Sequence, residues 1–395
     1  MNGAGLYIHI PFCVRKCGYC DFNSHASTGE LHEAYQEALL EDLRRVREQH
    51  GPVAIDTVFI GGGTPSLFPP AWIGAILERV ARDFRLEARE ITMEANPGTV
   101  ERHDFAGYRH AGVTRVSMGA QSFDAAELAF LERIHSPAEI VEAFRAVRAA
   151  GFDNINLDLI FALPGQTPGT WERSLAQAVA LEPEHLSAYN LTFEPGTEFT
   201  RRRARGELAE MPEDLQASFL TATAARLDAA GYARYEISNF ARPDRACAHN
   251  LRYWRRLPVL AAGAGAFGFD GRRRWSNVRS PQEYIRRARA GDPLEAFSEI
   301  PSAAEAMTEA VLCRLRLDEG LDADAFHAEF GSPPADAFPL TLRQSLDAAL
   351  LTARGPRLTL TDAGILVSDS LFARAASEID ARFGKREVAS GPNPA

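Results

Sequence analysis

The chain repeats one local pattern, in which an apolar run of strand length leads through a short turn into an amphipathic helical segment. Six strand-like runs occupy residues 5–10, 54–60, 90–95, 114–119, 154–163 and 185–192. Helical patterns separate them, among them 31–49 and 137–151, and the second ends at a glycine. Alternating strands and helices favour a parallel sheet. The pattern therefore predicts an α/β fold whose functional groups lie in the loops that follow the strands.

Three of the five cysteines fall within eight residues, in the stretch IHIPFCVRKCGYCDF. Cys13, Cys17 and Cys20 follow the first predicted strand. A disulfide framework prefers an even number of cysteines, a structural zinc site takes four ligands, and a thioredoxin-type motif has only the two-residue spacing. A [4Fe–4S] cluster needs four ligands, so three thiolates leave one iron free for a ligand that is not protein. A zinc loop and three buried thiols remain the alternatives.

A glycine-rich stretch, FIGGGTPSLF, follows the strand predicted at 54–60. Three successive glycines let the backbone approach a ligand closely. No Lys-Ser or Lys-Thr pair follows them, so the stretch does not predict a phosphate-binding P-loop. A tight turn between strand and helix is the alternative.

The length of 395 residues predicts two or three domains, at ~150 residues per domain. The sequence pattern changes near Ile300, where helical segments and then a short hairpin replace the strand–helix alternation. We expect one domain over 1–300, a small helical and winged domain over 301–376, and a flexible tail over 377–395.

The charge and the apolar runs exclude several classes of protein. A net charge of −10 argues against general binding to nucleic acid or to membrane surfaces. The longest apolar run, 259–269, is far shorter than the ~20 residues that span a bilayer, and residues 1–12 lack a basic leader. We therefore expect a cytoplasmic protein without a transmembrane segment; the sequence leaves the oligomeric state open, a homodimer included.

The spacing C-x3-C-x2-C after a strand resembles the signature of the radical S-adenosylmethionine (SAM) superfamily. The resemblance implies an incomplete parallel β/α barrel of about six units, with the cluster loop at its C-terminal mouth. It also implies that the open iron binds the methionine end of SAM, and that an electron from the cluster cleaves the sulfonium to a 5′-deoxyadenosyl radical.

The resemblance narrows to the HemN/HemW group of oxygen-independent coproporphyrinogen dehydrogenases and haem chaperones. It covers nearly the whole chain and rests on YIHIPFCVRKCGYC, GGGTPS, MEANP, SMGAQSF, LERIHS, NINLDLIFALPGQT, YNLTFEPGT, HNLRYW and AGAGAFG. The SAM contacts that it implies are Tyr7, Tyr19, Gly62, Gly63, Thr64, Glu94, Gln121, Arg133, Asp158, Thr192 and Phe267. We place Glu94, Gln121 and Asp158 at the ends of successive strands, where polar side chains can converge on the ribose and adenine of SAM. Taken one at a time, they could instead cap helices.

Two features separate the two branches of this group. The dehydrogenases resemble this chain at the cysteine loop but usually carry a further cysteine where Phe22 stands. The chaperone branch has C-x3-C-x2-C-x-F and a later H-N-x-x-Y-W motif, here HNLRYW. This resemblance implies one bound haem that is transferred to an acceptor protein; radical decarboxylation of coproporphyrinogen III is the alternative.

The HNLRYW stretch has side chains suited to haem. His249 offers an imidazole to iron, and Tyr253 and Trp254 offer flat apolar faces. A histidine that satisfies the backbone of a turn is the alternative.

The region 301–376 resembles a winged-helix module, a class that often binds DNA. Its segment LDEGLDADAFHAEFGSPPADAF is acidic, whereas DNA recognition requires a basic stripe. We therefore expect no nucleic-acid partner, and a protein-contact or lid role for this region.

Overall fold

The protein is described here by a computed structural model that covers residues 3–98 and 104–384. The chain divides into two compact units. The first comprises Met1–Tyr253 and Leu257–Glu299, and the second comprises Trp254–Arg256 and Ile300–Ala395.

The first unit contains fourteen of the described strands. They are β1 (Ala4–Ile10), β2 (Phe12–Cys13), β3 (His25–Ala26), β4 (Ala54–Gly62), β5 (Arg85–Ala95), β6 (Arg115–Gln121), β7 (Ile155–Phe161), β8 (His185–Asn190), β9 (Ala233–Glu236), β10 (Asn239–Ala241), β11 (Val259–Ala262), β12 (Phe267–Phe269), β13 (Arg274–Asn277) and β14 (Glu295–Glu299). Twelve of them form one sheet, and β2 pairs with β3 alone.

The strand order shows how this sheet is built. Its order is β14-β13-β12-β11-β1-β4-β5-β6-β7-β8-β10-β9, and the run from β11 to β8 is parallel throughout. From β1 to β8 the order advances in one direction, whereas a doubly wound sheet reverses its order at the first strand. Within the described residues β9 and β14 do not pair, so the sheet is not closed. The predicted α/β fold of a mostly parallel, incomplete barrel is confirmed.

Helices connect these strands. They are α1 (His32–His50), α2 (Pro70–Asp83), α3 (Phe105–His110), α4 (Ala125–Phe130), α5 (Pro137–Ala149), α6 (Pro168–Ala180), α7 (Glu198–Ala204), α8 (Glu213–Ala229), α9 (Ala248–Trp254) and α10 (Pro281–Ala290). Because right-handed crossovers between successive neighbouring strands all pass over the same face, the crossover helices between β1 and β8 cover the outside of the sheet. Helix α9, by contrast, places His249 and Tyr253 against the inside of the barrel. Among residues 3–98 and 104–384, no helix has the length and apolar character to span a bilayer.

Side chains alternate between the two faces of each strand, and this alternation separates the core from the site. In β1, Leu6, Ile8 and Ile10 are fully buried in the core that also contains Leu39 and Leu43 of α1. The intervening residues of β1 point to the opposite face, which is the inside of the partial barrel. The apolar face therefore anchors the strand while the other face is free to carry polar groups.

The second unit contains the remaining elements. They are α11 (Ala303–Arg316), β15 (Leu321–Asp322), α12 (Ala323–Phe330), α13 (Pro334–Ala337), α14 (Pro339–Asp347), β16 (Leu351–Arg354), β17 (Arg357–Leu360), α15 (Asp362–Leu366) and α16 (Ser368–Phe383). The strands form a three-stranded antiparallel sheet in the order β15-β17-β16. The helices and the β16–β17 hairpin have the helical and winged character that the sequence predicts.

Two parts of the sequence interpretation need correction. The helix α16 continues to Phe383 because Phe372, Ala375 and Ile379 bury one apolar face, so residues 377–383 of the predicted tail are helical. Residues 385–395 of that tail lie outside the described part of the chain. The sequence interpretation also missed β11, which adds a seventh parallel strand beside β1.

Candidate functional site

The three cysteines lie in the loop that follows β1, at the carboxyl end of the parallel strands. The strand ends at Ile10, and the cysteine loop folds over a cavity of about 390 Å³. Cavities of this size hold small organic ligands and cofactors. We call it the mouth cavity. Its wall contains Cys13, Cys17 and Cys20 together with the ends of β4, β5 and β6.

A buried histidine holds the cysteine loop in place. The ring of His9 contacts the Tyr7 hydroxyl through Nδ1 at 2.8 Å and the Asn23 carbonyl oxygen through Nε2 at 2.8 Å. Burial lowers the pKa of His9 to about 4, so the ring is neutral and donates from Nε2 to that carbonyl. Asn23 in turn donates from Nδ2 to the carbonyl oxygens of Ala264 and Arg279. The loop that carries the thiols is therefore tied both to β1 and to the segment after β11.

The AGAGAFG stretch approaches the cysteine loop closely. A Cβ atom on Gly263 would lie 2.4 Å from the His9 carbonyl oxygen, and one on Gly265 would lie 2.4 Å from Asn23 Nδ2. Both glycines have positive φ angles. The buried Tyr35 hydroxyl joins the two segments, since it donates to the His9 carbonyl and accepts from the Ala264 N–H. The glycines of this motif thus serve the packing of the cysteine loop.

The glycine loop at the end of β4 forms a second wall of the mouth cavity. Gly62 has a φ of 118°, and a Cβ there would lie 2.4 Å from the His9 ring. The N–H groups of Gly63 and Thr64 donate to the carbonyl oxygens of Ile10 and Phe12. The turn is therefore packed against the backbone that leads into the cysteine loop, which fits the alternative of a tight turn. Close approach of this backbone to a ligand stays a prediction.

Two carboxylates enter the cavity from neighbouring strands. Glu94, at the end of β5, accepts the Gly62 N–H at 2.9 Å; burial raises its pKa to about 7 despite this bond. Asp158 lies in the middle of β7 and not at its end, as the sequence interpretation had it. It accepts from Ser117 and Asn156, and burial raises its pKa as well. Polar groups that accept hydrogen bonds thus line the cavity floor.

The thiols occupy a setting that fits an iron–sulfur cluster. Arg133 donates to Cys17 Sγ at 3.6 Å, and the Thr64 hydroxyl donates to Cys13 Sγ at 3.6 Å. Burial raises the pKa of the Cys13 thiol, and the Thr64 bond opposes this effect. In the described residues no three His, Cys, Asp or Glu side chains converge on one metal-ion position. Each thiolate of a four-iron cluster binds a different iron, so such convergence is not required.

The structure brings most of the predicted SAM contacts together. Nine of them line the mouth cavity, namely Tyr19, Gly62, Gly63, Thr64, Glu94, Gln121, Arg133, Asp158 and Thr192. Tyr7 lines an adjoining cavity, and Phe267 lines neither of these two cavities. Gln121 closes β6 with a φ of 67°, a conformation uncommon for a residue other than glycine.

The predicted haem residues do not form one exposed surface. His249 is buried, and its Nδ1 and Nε2 contact the hydroxyls of Thr57 at 2.9 Å and Tyr253 at 3.3 Å. Burial, assisted by the charge of Arg252, lowers the pKa of His249 to about 3. Trp254 belongs to the second unit, where the Arg316 guanidinium lies 4.7 Å from the centre of its ring.

The sequence interpretation missed His9, Asn23 and Tyr35 as supports of the site. A signal for His9 was present, because a histidine alternates there with the buried isoleucines of β1. Asn23 and Tyr35 also contact Ala264, more than 220 residues away in the sequence, and no local pattern could indicate this contact.

Comparison with known families matches two parts of this chain. The radical SAM superfamily model matches residues 7–178, and the HemN C-terminal domain model matches residues 302–367.

Relatives align over nearly the whole chain. Proteins named heme chaperone HemW are 39% identical in Mycobacterium tuberculosis, with 93% of each chain covered, and 39% identical in Escherichia coli, with 93% of this chain and 96% of the relative covered. The HemW of Bacillus subtilis is 32% identical over 93% of this chain and 97% of its own. Among solved structures, coproporphyrinogen III oxidase (HemN) of Escherichia coli is similar with a TM-score of 0.81 at 23% identity, covering 96% of this chain and 91% of that chain. At this sequence identity, the similarity to HemN shows that the two proteins share a fold.

Proposed function

Because the chain belongs to the HemW family of the radical SAM superfamily, we propose that it is a haem chaperone, which binds haem and transfers it to an acceptor protein. The names of its bacterial relatives support this function. The alternative that the family resemblance implies is the oxidative decarboxylation of coproporphyrinogen III, and the structurally similar HemN is named a coproporphyrinogen III oxidase.

Phe22 is the observation that favours the haem-chaperone function over the dehydrogenase function. Its side chain is 60% exposed and lines the mouth cavity. The family resemblance implies a fourth cysteine at this position in the dehydrogenases. A phenyl ring has neither the thiol nor any polar group, but it offers a flat apolar face on which a porphyrin can stack.

We propose that Cys13, Cys17 and Cys20 hold a [4Fe–4S] cluster and that the mouth cavity holds SAM. A bound cluster supplies one electron at low potential and an iron site open to SAM. Two features of the chain favour this assignment. The Arg133 guanidinium places a positive charge beside Cys17, and Gly62, Gly63 and Thr64 of the glycine loop line the mouth cavity together with the three cysteines.

His249 stays the predicted haem ligand. To bind iron through Nε2, the imidazole would exchange its 3.3 Å contact with the Tyr253 hydroxyl for the metal and would keep its bond to Thr57. The adjoining cavity that His249 lines, of about 150 Å³, would also have to open, because a porphyrin is larger than this volume. The retained bond would fix the orientation of the ring.

An absorption titration tests haem binding. Protein reconstituted without oxygen is titrated with haem, with and without SAM, and the Soret band is followed. We expect saturation at about one haem per chain, and His249→Ala should change the band or weaken binding. His110→Ala, an exposed histidine of the same unit, is the matched control. A Soret signal that rises without saturation would rule out a specific haem site.

A further inference from the structure

A second, smaller cavity lies inside the partial barrel. Its volume is about 150 Å³, and it shares Glu94, Ser117, Asp158 and Tyr189 with the wall of the mouth cavity. We call it the inner cavity. Its other polar wall residues lie near the amino ends of the parallel strands, where Arg115 and His185 are the first residues of β6 and β8. It is therefore the part of the barrel interior farther from the cysteine loop.

Arg115 is the unusual member of this wall. The side chain is only 2% exposed, yet it makes no hydrogen bond or ion pair with any described residue, and its Nε is fully buried without a partner. A guanidinium carries its charge at all physiological pH values. Nearby acids balance this charge at longer range, but none of the described residues accepts a hydrogen bond from the guanidinium. A ligand in the inner cavity could accept the hydrogen bonds that the chain leaves unused.

The two carboxylates that act on Arg115 at longer range are already engaged. Glu90 accepts from Cys247 Sγ and from the N–H groups of Ala248 and His249, at the start of α9. Asp158 accepts from Asn156 through Oδ1 and from Ser117 through Oδ2. His185 is also engaged, because its two ring nitrogens contact Asn156 and Tyr235. The guanidinium fork is thus left facing the inner cavity.

We propose that the inner cavity binds a monoanionic carboxylate, and that the Arg115 guanidinium holds this carboxylate by a bidentate pair of hydrogen bonds. The planar fork of arginine matches the two oxygens of a carboxylate. A dianion such as phosphate is disfavoured because Glu90, Asp158 and Glu94 surround the site.

The size of the cavity limits the ligand. A cavity of this volume holds a molecule about as large as benzene. A short-chain acid such as propionate fits, whereas a whole porphyrin does not. The carboxylate comes either from a free small acid or from the propionate arm of a larger ligand in the adjoining mouth cavity. The site itself does not depend on the proposed haem function, since a free acid suffices to fill it.

The first test measures free acid. Haem-free protein is titrated calorimetrically with sodium propionate against sodium chloride at equal ionic strength. We expect saturable binding that Arg115→Met abolishes and Arg115→Lys weakens about tenfold, because lysine keeps the charge but not the fork. Arg145→Gln, an exposed arginine on α5, should bind as the wild type does.

The second test identifies the propionate arm. Haem and its dimethyl ester are titrated into the wild type and Arg115→Met. If the arm is the ligand, the ester binds about tenfold more weakly than haem to the wild type, and this difference disappears in Arg115→Met. If haem does not bind at all, the haem proposal fails. The titration with free propionate still tests the carboxylate site at Arg115.

A third measurement separates a ligand site from a structural role. The charge of Arg115 also balances the nearby carboxylates Glu90 and Asp158, so Arg115→Met should lower the unfolding temperature of the ligand-free protein. The readout that a purely structural role would not give is ligand-dependent: propionate should raise the unfolding temperature of the wild type and leave that of Arg115→Met unchanged. Should that variant fail to fold, the wild type and Arg115→Lys carry the comparison. Propionate binding that is absent or independent of Arg115, together with no ester effect, would mean that water alone fills the cavity and would overturn the proposal.

Discussion

At the scale of single residues, the glycine loop depends on the absence of a side chain at Gly62. The His9 ring occupies the space where a Cβ would lie, and the same ring holds the cysteine loop through Asn23. One glycine therefore connects the packing of the two loops that form the mouth cavity.

We expect Gly62→Ala to destabilise the protein by roughly 1–3 kcal/mol from backbone strain, and by more because His9 must move. Gly29→Ala is the matched control, since Gly29 has a φ of 106° but nothing within 4 Å of its Cβ position. Urea unfolding of both variants measures the difference. Equal losses in the two variants would show that the contact with His9 is unimportant.

The cluster assignment also belongs to this scale. Replacing Cys13, Cys17 or Cys20 by alanine should remove the cluster, because each thiolate holds a different iron. Cys247→Ala and Cys313→Ala should keep it, which controls for the general loss of a thiol. Iron and sulfide analysis after anaerobic reconstitution is the measurement. Wild-type iron content in the variant lacking all three loop cysteines would refute the assignment.

At the scale of elements, helix α1 holds the segment after β11 through one buried acid. Asp42 accepts from the Gly263 N–H, Asn277 Nδ2 and the Tyr284 hydroxyl. Burial raises the pKa of Asp42 from 3.8 to about 6. Through Gly263, which packs on His9, this acid supports the cysteine loop from behind.

This pKa gives a prediction with a definite sign. The folded chain binds the Asp42 proton more tightly than the unfolded chain, so the stabilisation is present below pH 3.8 and is lost as the pH rises through about 6. Asp42→Asn cannot titrate. The stability of Asp42→Asn relative to the wild type should therefore increase by about 2 kcal/mol between pH 4 and pH 7. Urea unfolding across this range measures it, and parallel pH profiles for the two proteins would contradict it.

The elements of the parallel sheet could be predicted from sequence because each strand carries its own apolar run. The runs at 5–10 and 54–60 correspond closely to Ala4–Ile10 and Ala54–Gly62. The strand β11 was missed since VLAA is short and continues into small residues that resemble a loop. Asp158 was placed at a strand end although the predicted run 154–163 already has it in the middle, so the strand pattern itself was right and the placement of this residue was wrong.

At the scale of the whole molecule, the cysteine spacing and the distributed motifs indicate the family, whereas the inner cavity could not be foreseen. The unpaired state of Arg115 depends on where Glu90 and Asp158 direct their oxygens, which is a property of the assembled barrel. Phe22, by contrast, is read directly from the sequence, and through the family resemblance it is the basis for proposing the chaperone over the dehydrogenase.

The central claim is that this protein carries haem and does not decarboxylate coproporphyrinogen III. The most direct measurement is an anaerobic incubation of the reconstituted protein with SAM, a reductant and coproporphyrinogen III, with HemN of Escherichia coli as the positive control. The account predicts no protoporphyrinogen from a preparation that binds about one haem per chain. Robust formation of protoporphyrinogen would contradict it and would assign the enzymatic function.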